Sequence, residues 1–212
     1  SYFKDAKTIL KTHRGFDLGA LDIFENLQLL SVYSNYSETS RLLIELNRSL
    51  NHKQLFSKLS EEIPEKRKEK LINDYYLKYR NAVESKIESL IKKDETVLHI
   101  SVHSFTPVLN NEERLCDIGL LFDSSNKEER SFCKNYKAEI LSFNPNLKVR
   151  FNYPYLGKAD GFTTYLRKLF PEKYLGIEIE INQKYSKNNI MSDVVKSCLS
   201  NALQSITSKS NS

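Results

Sequence analysis

Two segments of the chain alternate apolar and polar residues with a period of two. The first is Val97-Leu98-His99-Ile100-Ser101-Val102-His103 and the second is Gly176-Ile177-Glu178-Ile179-Glu180-Ile181-Asn182. Residues two apart on a strand share a face, so each segment predicts a strand with one polar side. His99, Ser101 and His103 lie together on one, and Glu178, Glu180 and Asn182 on the other. Elsewhere the spacing is helical. Ala20, Leu21, Phe24, Leu27 and Leu30 predict a helix over residues 17–30, and Tyr79, Val83, Ile87 and Leu90 predict one over 75–91. Asn126, Asp160 and Ser192 are placed to cap helices running to about residues 143, 169 and 206. Short apolar runs at 41–46, 116–122 and 149–151 predict further strands, and 50–70 reads as a polar loop with helical turns.

Strands separated by helices imply crossovers. The expected fold is therefore α/β, with three layers: a mainly parallel mixed sheet with helices on both faces. Ligand sites in such sheets lie beyond the carboxyl ends of the strands. That rule would place His103, Asn47, Arg48, Asn152 and Asn182 at one rim. No stretch rich in Gly, Ser or Pro divides the chain, so residues 1–212 are expected to form a single domain.

Composition narrows the function classes. The 212 residues are 40% hydrophobic and 28% charged, ordinary for a globular protein. No apolar run is long enough for a transmembrane helix and the start is not a signal peptide, which predicts a cytoplasmic protein with no membrane partner. The net charge of +5 is spread along the chain, and its densest basic run, residues 65–70, is broken by acids. That pattern reads as a solvated face and argues against a nucleic-acid partner. Cys116, Cys133 and Cys198 are odd in number and far apart, which predicts buried free thiols.

Each candidate for chemistry has a structural alternative. Imidazole from one strand and carboxylate from another suit a hydrolytic metal site, with His103 as ligand and Glu180 or Glu178 as general base. His103 is otherwise a satisfied histidine, and the two glutamates otherwise mark a wet sheet face. Asp17 is an N-cap candidate, or a carboxylate reaching a metal. Arg14 and Arg48 are candidates to hold a substrate anion through a planar guanidinium, whereas Arg41 reads as structural. Arg114, Asp117 and Asp123 bracket the 117–121 strand and read as a structural ion pair. The loop from Asn152 through Tyr155 to Asp160 is either a long turn or a cover over a site. No Ser-His-Asp signature, phosphate-binding glycine loop or His-Glu-x-x-His run appears.

Six stretches in order resemble the N-formylglutamate amidohydrolase family. They are His-Arg-Gly-Phe-Asp-Leu-Gly-Ala-Leu at 13–21, Ser-Arg-Leu-Leu-Ile-Glu-Leu-Asn-Arg-Ser at 40–49, Val-His-Ser-Phe-Thr-Pro at 102–107, Asp-Ile-Gly-Leu-Leu at 117–121, Asn-Tyr-Pro-Tyr-Leu-Gly at 152–157 with Asp160-Gly161, and Gly-Ile-Glu-Ile-Glu-Ile-Asn-Gln at 176–183. The resemblance implies a phosphorylase/hydrolase-like, zinc-carboxypeptidase-like fold. It also implies a zinc-dependent hydrolysis of a small N-acyl amino acid, with N-formylglutamate split to glutamate and formate. His103 would be a zinc ligand, with Asp17 a further ligand or neighbour, and Glu180 would activate the water. Arg48, Asn47, Arg14, Asn152, Tyr155, Asp160 and Glu178 would bind substrate. The family's first histidine ligand sits on a Glu-His-Gly-Gly type segment with no counterpart here, so a ligand and a strand are expected upstream of Ser1. The alternatives are the same scaffold acting on a different acyl-amino acid or peptide-like amide, and a non-catalytic binding domain.

Overall fold

The period-two segments form strands. In chain order the computed structural model, which describes residues 7–10 and 12–209, contains α1 (Lys7–Leu10), α2 (Ala20–Leu27), α3 (Glu65–Leu71), α4 (Lys78–Ile91), β1 (Val97–Phe105), β2 (Val108–Leu109), β3 (Glu112–Glu113), β4 (Ile118–Leu121), α5 (Lys127–Phe143), β5 (Val149–Phe151), α6 (Phe162–Leu169), β6 (Tyr174–Asn182), β7 (Ser186–Lys187), β8 (Ile190–Met191) and α7 (Asp193–Lys209). A π-helical stretch, Ile72–Leu77, joins α3 to α4. The segment expected upstream of Ser1 lies outside the described residues. Among those residues no helix is long and apolar enough to cross a membrane.

The described chain forms two compact units. The first takes the residues up to Phe16 with Asn35–Val97 and Asp160–Tyr174; the second takes Asp17–Ser34, Leu98–Ala159 and the residues from Leu175 onward.

In the second unit the larger sheet has the order β1-β6-β4-β5. β4 runs parallel to β5, with Ile118 opposite Val149, and antiparallel to β6, with Gly119 opposite Glu180 and Leu121 opposite Glu178. The sheet is mixed, as expected, and the carboxylate strand is the one turned against its β4 neighbour. On β6, Ile177, Ile179 and Ile181 are fully buried and pack in one core with Tyr136 and Ile140 of α5 and Val195, Leu199 and Ala202 of α7. Alternation then sends Glu178, Glu180 and Asn182 to the opposite face, where they are buried as well.

The helix caps of this unit follow the sequence. Asn126 Oδ1 accepts from the Glu128 and Glu129 amides at 2.9 and 3.1 Å, opening α5. Ser192 Oγ accepts from the Val195 amide at the start of α7. Glu129, fully buried, accepts from the Gly176 amide at 2.9 Å and the Asp123 amide at 2.7 Å, so its carboxylate ties the start of α5 to the start of β6. The hairpins β2–β3 and β7–β8 are too short for periodicity to reveal. Each turns on an Asn-Asn pair with positive φ, Asn110 and Asn111 in one and Asn188 and Asn189 in the other. Two such residues in succession are the requirement of a two-residue hairpin turn that matches strand twist.

In the first unit α4 and α6 share a core of Val83, Ile87, Phe162, Leu166 and Tyr174. The strand expected at 41–46 does not form. Leu42 and Ile44 are buried, but the backbone there makes turns: the Leu43 and Ile44 amides donate to the Ser40 carbonyl, and the Glu45 amide donates to the Leu55 carbonyl. A short apolar run demands burial and does not by itself specify backbone pairing. Arg41 pairs with Glu45, as a structural residue should. Asp160 does not cap α6. The N-cap position is Gly161, and the Phe162 amide donates instead to Asn47 Oδ1 at 2.7 Å, a cap supplied from far along the chain.

Asp117 of the second unit does not pair with Arg114. It pairs with Lys184 and accepts from the Lys148 amide at 2.7 Å. Burial alone would raise its pKa, but these partners outweigh burial and hold the carboxyl below its ordinary value. A carboxyl depressed in the folded state contributes stability above the unfolded value of about 3.9, and the contribution is lost as pH falls through the lower folded value. Asp117→Asn should therefore be destabilised at neutral pH, and its deficit against wild type should shrink in acid. Urea melts of both proteins from pH 7 to pH 2.5 read this directly; a deficit that stays constant would contradict it.

Candidate active site

The polar faces of β1 and β6 carry the densest chemistry of the second unit. His103 Nδ1 lies 2.9 Å from Asp17 Oδ2, and His103 Nε2 lies 3.0 Å from Ser101 Oγ. The period-two pattern put Ser101 and His103 on one face, and this contact is its consequence. His103 lies inside β1 and Glu180 inside β6, rather than at strand ends.

Asp17 reaches the imidazole because it does not cap α2. The helix starts at Ala20 after Gly19, whose φ of 77° is left-handed and whose amide donates to Asn189 Oδ1 at 2.7 Å. A Cβ at Gly19 would lie 2.7 Å from the Met191 side chain, so glycine is required there by both conformation and space. One residue earlier, the Leu18 carbonyl accepts from Ser104 Oγ at 2.8 Å, and Ser104 Oγ accepts in turn from Gln183 Nε2 at 3.1 Å. The backbone on the C-terminal side of Asp17 is thus held at two successive residues.

Burial by itself would pull the His103 pKa down. The hydrogen bond and charge of Asp17, together with the charges of Glu180 and Glu178, outweigh it and push the pKa up to about 9. The fold assembles an Asp17–His103–Ser101 line that no sequence signature announces. Asp17 favours the charged imidazole, whereas a zinc ion on a ring nitrogen requires the neutral one.

Glu180 is 6% exposed and sits opposite Gly119 in the β4 register. Gly119 has a steric role: a Cβ there would meet the Tyr153 carbonyl oxygen at 2.0 Å and the Glu180 Cβ at 3.3 Å. The Asn152–Tyr153 turn closes on the sheet through this gap. Asn152, at φ 49°, accepts on Oδ1 from the Phe122 and Gly157 amides, both at 3.0 Å, so its carbonyl oxygen shapes the loop. Tyr155 is half exposed and accepts from Arg114 at 3.2 Å.

The expected anion-binding residues fall in the first unit. Arg48 Nη1 donates to the Asp160 carbonyl at 2.9 Å, and the Ser49 amide donates to Asp160 Oδ2 at 3.1 Å. With Asn47 capping α6, the structure brings Asn47, Arg48 and Asp160 together. Arg14 is exposed, and its amide donates to the Thr12 hydroxyl oxygen at 3.3 Å. Residues that the sequence did not single out are Arg80 in this unit and Ser104, Gln183 and Asn189 in the other. Gly119 carried a signal, as a glycine within an apolar strand.

Zinc takes nitrogen and oxygen donors of the kind that His103 and Asp17 supply. Among the described residues, however, no group of three or more His, Cys, Asp and Glu side chains is placed to hold a metal ion. These residues offer part of a zinc ligand set and not a whole one. The three cysteines are buried free thiols, as expected, and do not complete it.

Two solved structures share this fold. One is gene product Atu2144 from Agrobacterium tumefaciens, with a TM-score of 0.70 and 21% identity, covering 95% of this chain and 82% of that one. The other is N-formylglutamate amidohydrolase from Ralstonia eutropha JMP134, with a TM-score of 0.70 and 16% identity, covering 90% of this chain and 81% of that one. No curated protein matches the chain. The family model for N-formylglutamate amidohydrolase matches residues 3–186, a span that holds both polar strands, Asp17 and the Asn47–Arg48 turn. On that match the chain belongs to the N-formylglutamate amidohydrolase family.

Proposed function

We propose that this amidohydrolase family member cleaves the amide of a small N-acyl amino acid, with N-formylglutamate as substrate and formate and glutamate as products. The observation that carries the reading is Glu180, a carboxylate buried on an inner strand of the sheet, whose charge acts on the part-buried His103–Asp17 pair. Burying several charged groups together is unfavourable unless they are paired, and such clusters concentrate where chemistry needs them.

Glu180 takes a proton from water as the water oxygen bonds to the formyl carbon. It returns that proton to the amide nitrogen as the carbon–nitrogen bond breaks, so the amine leaves neutral. Asp17 orients the His103 ring through Nδ1. In the same unit Glu178, Asn152 and Tyr155 are assigned to substrate binding, and in the first unit Arg48, with Asn47, Arg14 and Asp160, is assigned to binding a carboxylate, as the family resemblance implies. We include zinc in the proposal, with His103 and Asp17 as the donors the described residues would contribute. When bound, it would supply a water of lowered pKa.

The test is release of formate from N-formylglutamate by the purified protein before and after chelation. Formate release that chelation stops and zinc restores is the expected result. Release that survives complete metal removal would refute the zinc assignment alone. Failure to release formate or acetate from any N-acyl amino acid, by a folded and zinc-supplied protein, would refute the hydrolase and leave the binding domain.

A further inference from the structure

The first unit contains a buried arginine that none of the proposed chemistry uses. Arg80 is 4% exposed, and its guanidinium lies over three aromatic rings: Phe162 at 4.0 Å, Tyr165 at 4.7 Å and Tyr76 at 4.9 Å. Its Nη1 donates to the Leu46 carbonyl at 3.1 Å and to the Arg48 carbonyl at 3.3 Å. Tyr76, 3% exposed, donates its hydroxyl to the same Arg48 carbonyl at 2.8 Å. Two side chains four residues apart therefore converge on one backbone oxygen. Tyr76 belongs to the π-helical stretch and Arg80 to the first turn of α4. The wider π turn belongs to a class of helix irregularity that recurs at functional sites.

A buried guanidinium costs desolvation, and apolar packing would fill the same space at lower cost. What the charge achieves here is directional: a rigid fork, stacked on aromatic faces, fixes the path of Leu46-Asn47-Arg48. On either side of this clamp, Asn47 caps α6 and the Ser49 amide is held by Asp160. We propose that Arg80, clamped with Tyr76 on the Arg48 carbonyl, is the positioning residue that holds the Arg48 side chain ready for a carboxylate anion. The proposal rests on the assignment of Arg48 as the carboxylate-binding residue. It adds that affinity for the anion is set from behind, by a buried cation that does not touch the substrate.

The experiment compares Arg80→Lys, Arg80→Met and Arg48→Ala in steady-state formate release and in amide hydrogen exchange. In Arg80→Met, KM should rise about tenfold with kcat within about twofold, the signature of lost binding that the ground and transition states share. Exchange should accelerate at the amides of residues 48, 49 and 162 and stay unchanged in α4 and α6 beyond their first turns. Arg80→Lys, which keeps a donor and a cation but not the fork, should recover part of the KM. Unchanged KM and unchanged local exchange in both Arg80 variants would overturn the clamp. So would exchange that accelerates uniformly through the unit, because that marks a general packing role. If Arg48→Ala leaves KM unchanged while the Arg80 variants loosen residues 48 and 49, the clamp on the backbone stands and the assignment of Arg48 to substrate falls.

Discussion

Glu180→Gln is expected to lower kcat by about 10²–10⁴-fold, the range for loss of a general base, equivalent to about 3–5 kcal/mol of barrier. Glutamine has the size of glutamate and can occupy the same buried position opposite Gly119, but it cannot accept a proton from water. The fold should survive, with a melting temperature near that of wild type. KM should change little, because the residue acts on the proton in flight rather than on the bound substrate. Circular dichroism establishes the fold, and a formate assay at saturating substrate measures the loss. Wild-type kcat in a folded Glu180→Gln protein would remove Glu180 from the mechanism and send the search for a base to Glu178.

The second large effect comes from Gly119→Ala, a change of one methyl group. The added carbon would sit 2.0 Å from the Tyr153 carbonyl oxygen, which is backbone and cannot rotate away. Either β4 or the Asn152–Tyr153 turn must shift. Because Gly119 pairs with Glu180 in register, a shift of β4 also moves Glu180. Overpacking of a well-packed interior costs about 1–3 kcal/mol, and a backbone clash belongs at the upper end. For a chain of this size that corresponds to a fall in melting temperature of roughly 6–12 °C. Turnover should fall along with it, unlike Glu180→Gln, where turnover falls alone. A thermal melt unchanged from wild type would show that the turn does not press on β4 as the geometry requires.

The two period-two strands were legible because their cause is local. Alternation follows from strand geometry, and neither β1 nor β6 needs a partner to state which residues share a face. The caps at Asn126 and Ser192 were legible for the same reason, since a cap is a bond within a few residues. Where the sequence misled, the competing interaction was distant. Asp17 and Asp160 both have the chemistry of a cap. Asp17 turns to His103 instead, and the place of Asp160 at α6 is taken by Asn47. The apolar run at 41–46 asked only to be buried, and the fold buries it in turns.

What the chain determined by itself is its set of faces: imidazoles and a serine along one strand, carboxylates along another, isoleucines behind them. It also determined its family, because six ordered segments outweigh the weakness of each. Tertiary structure alone decided which polar groups meet. It set Asp17 on His103, buried Glu180 against Gly119, and brought Arg80 to the Arg48 carbonyl. The physical reason is that a side chain's partner, and hence its charge and role, depends on contacts between residues far apart in sequence, which local propensity does not encode.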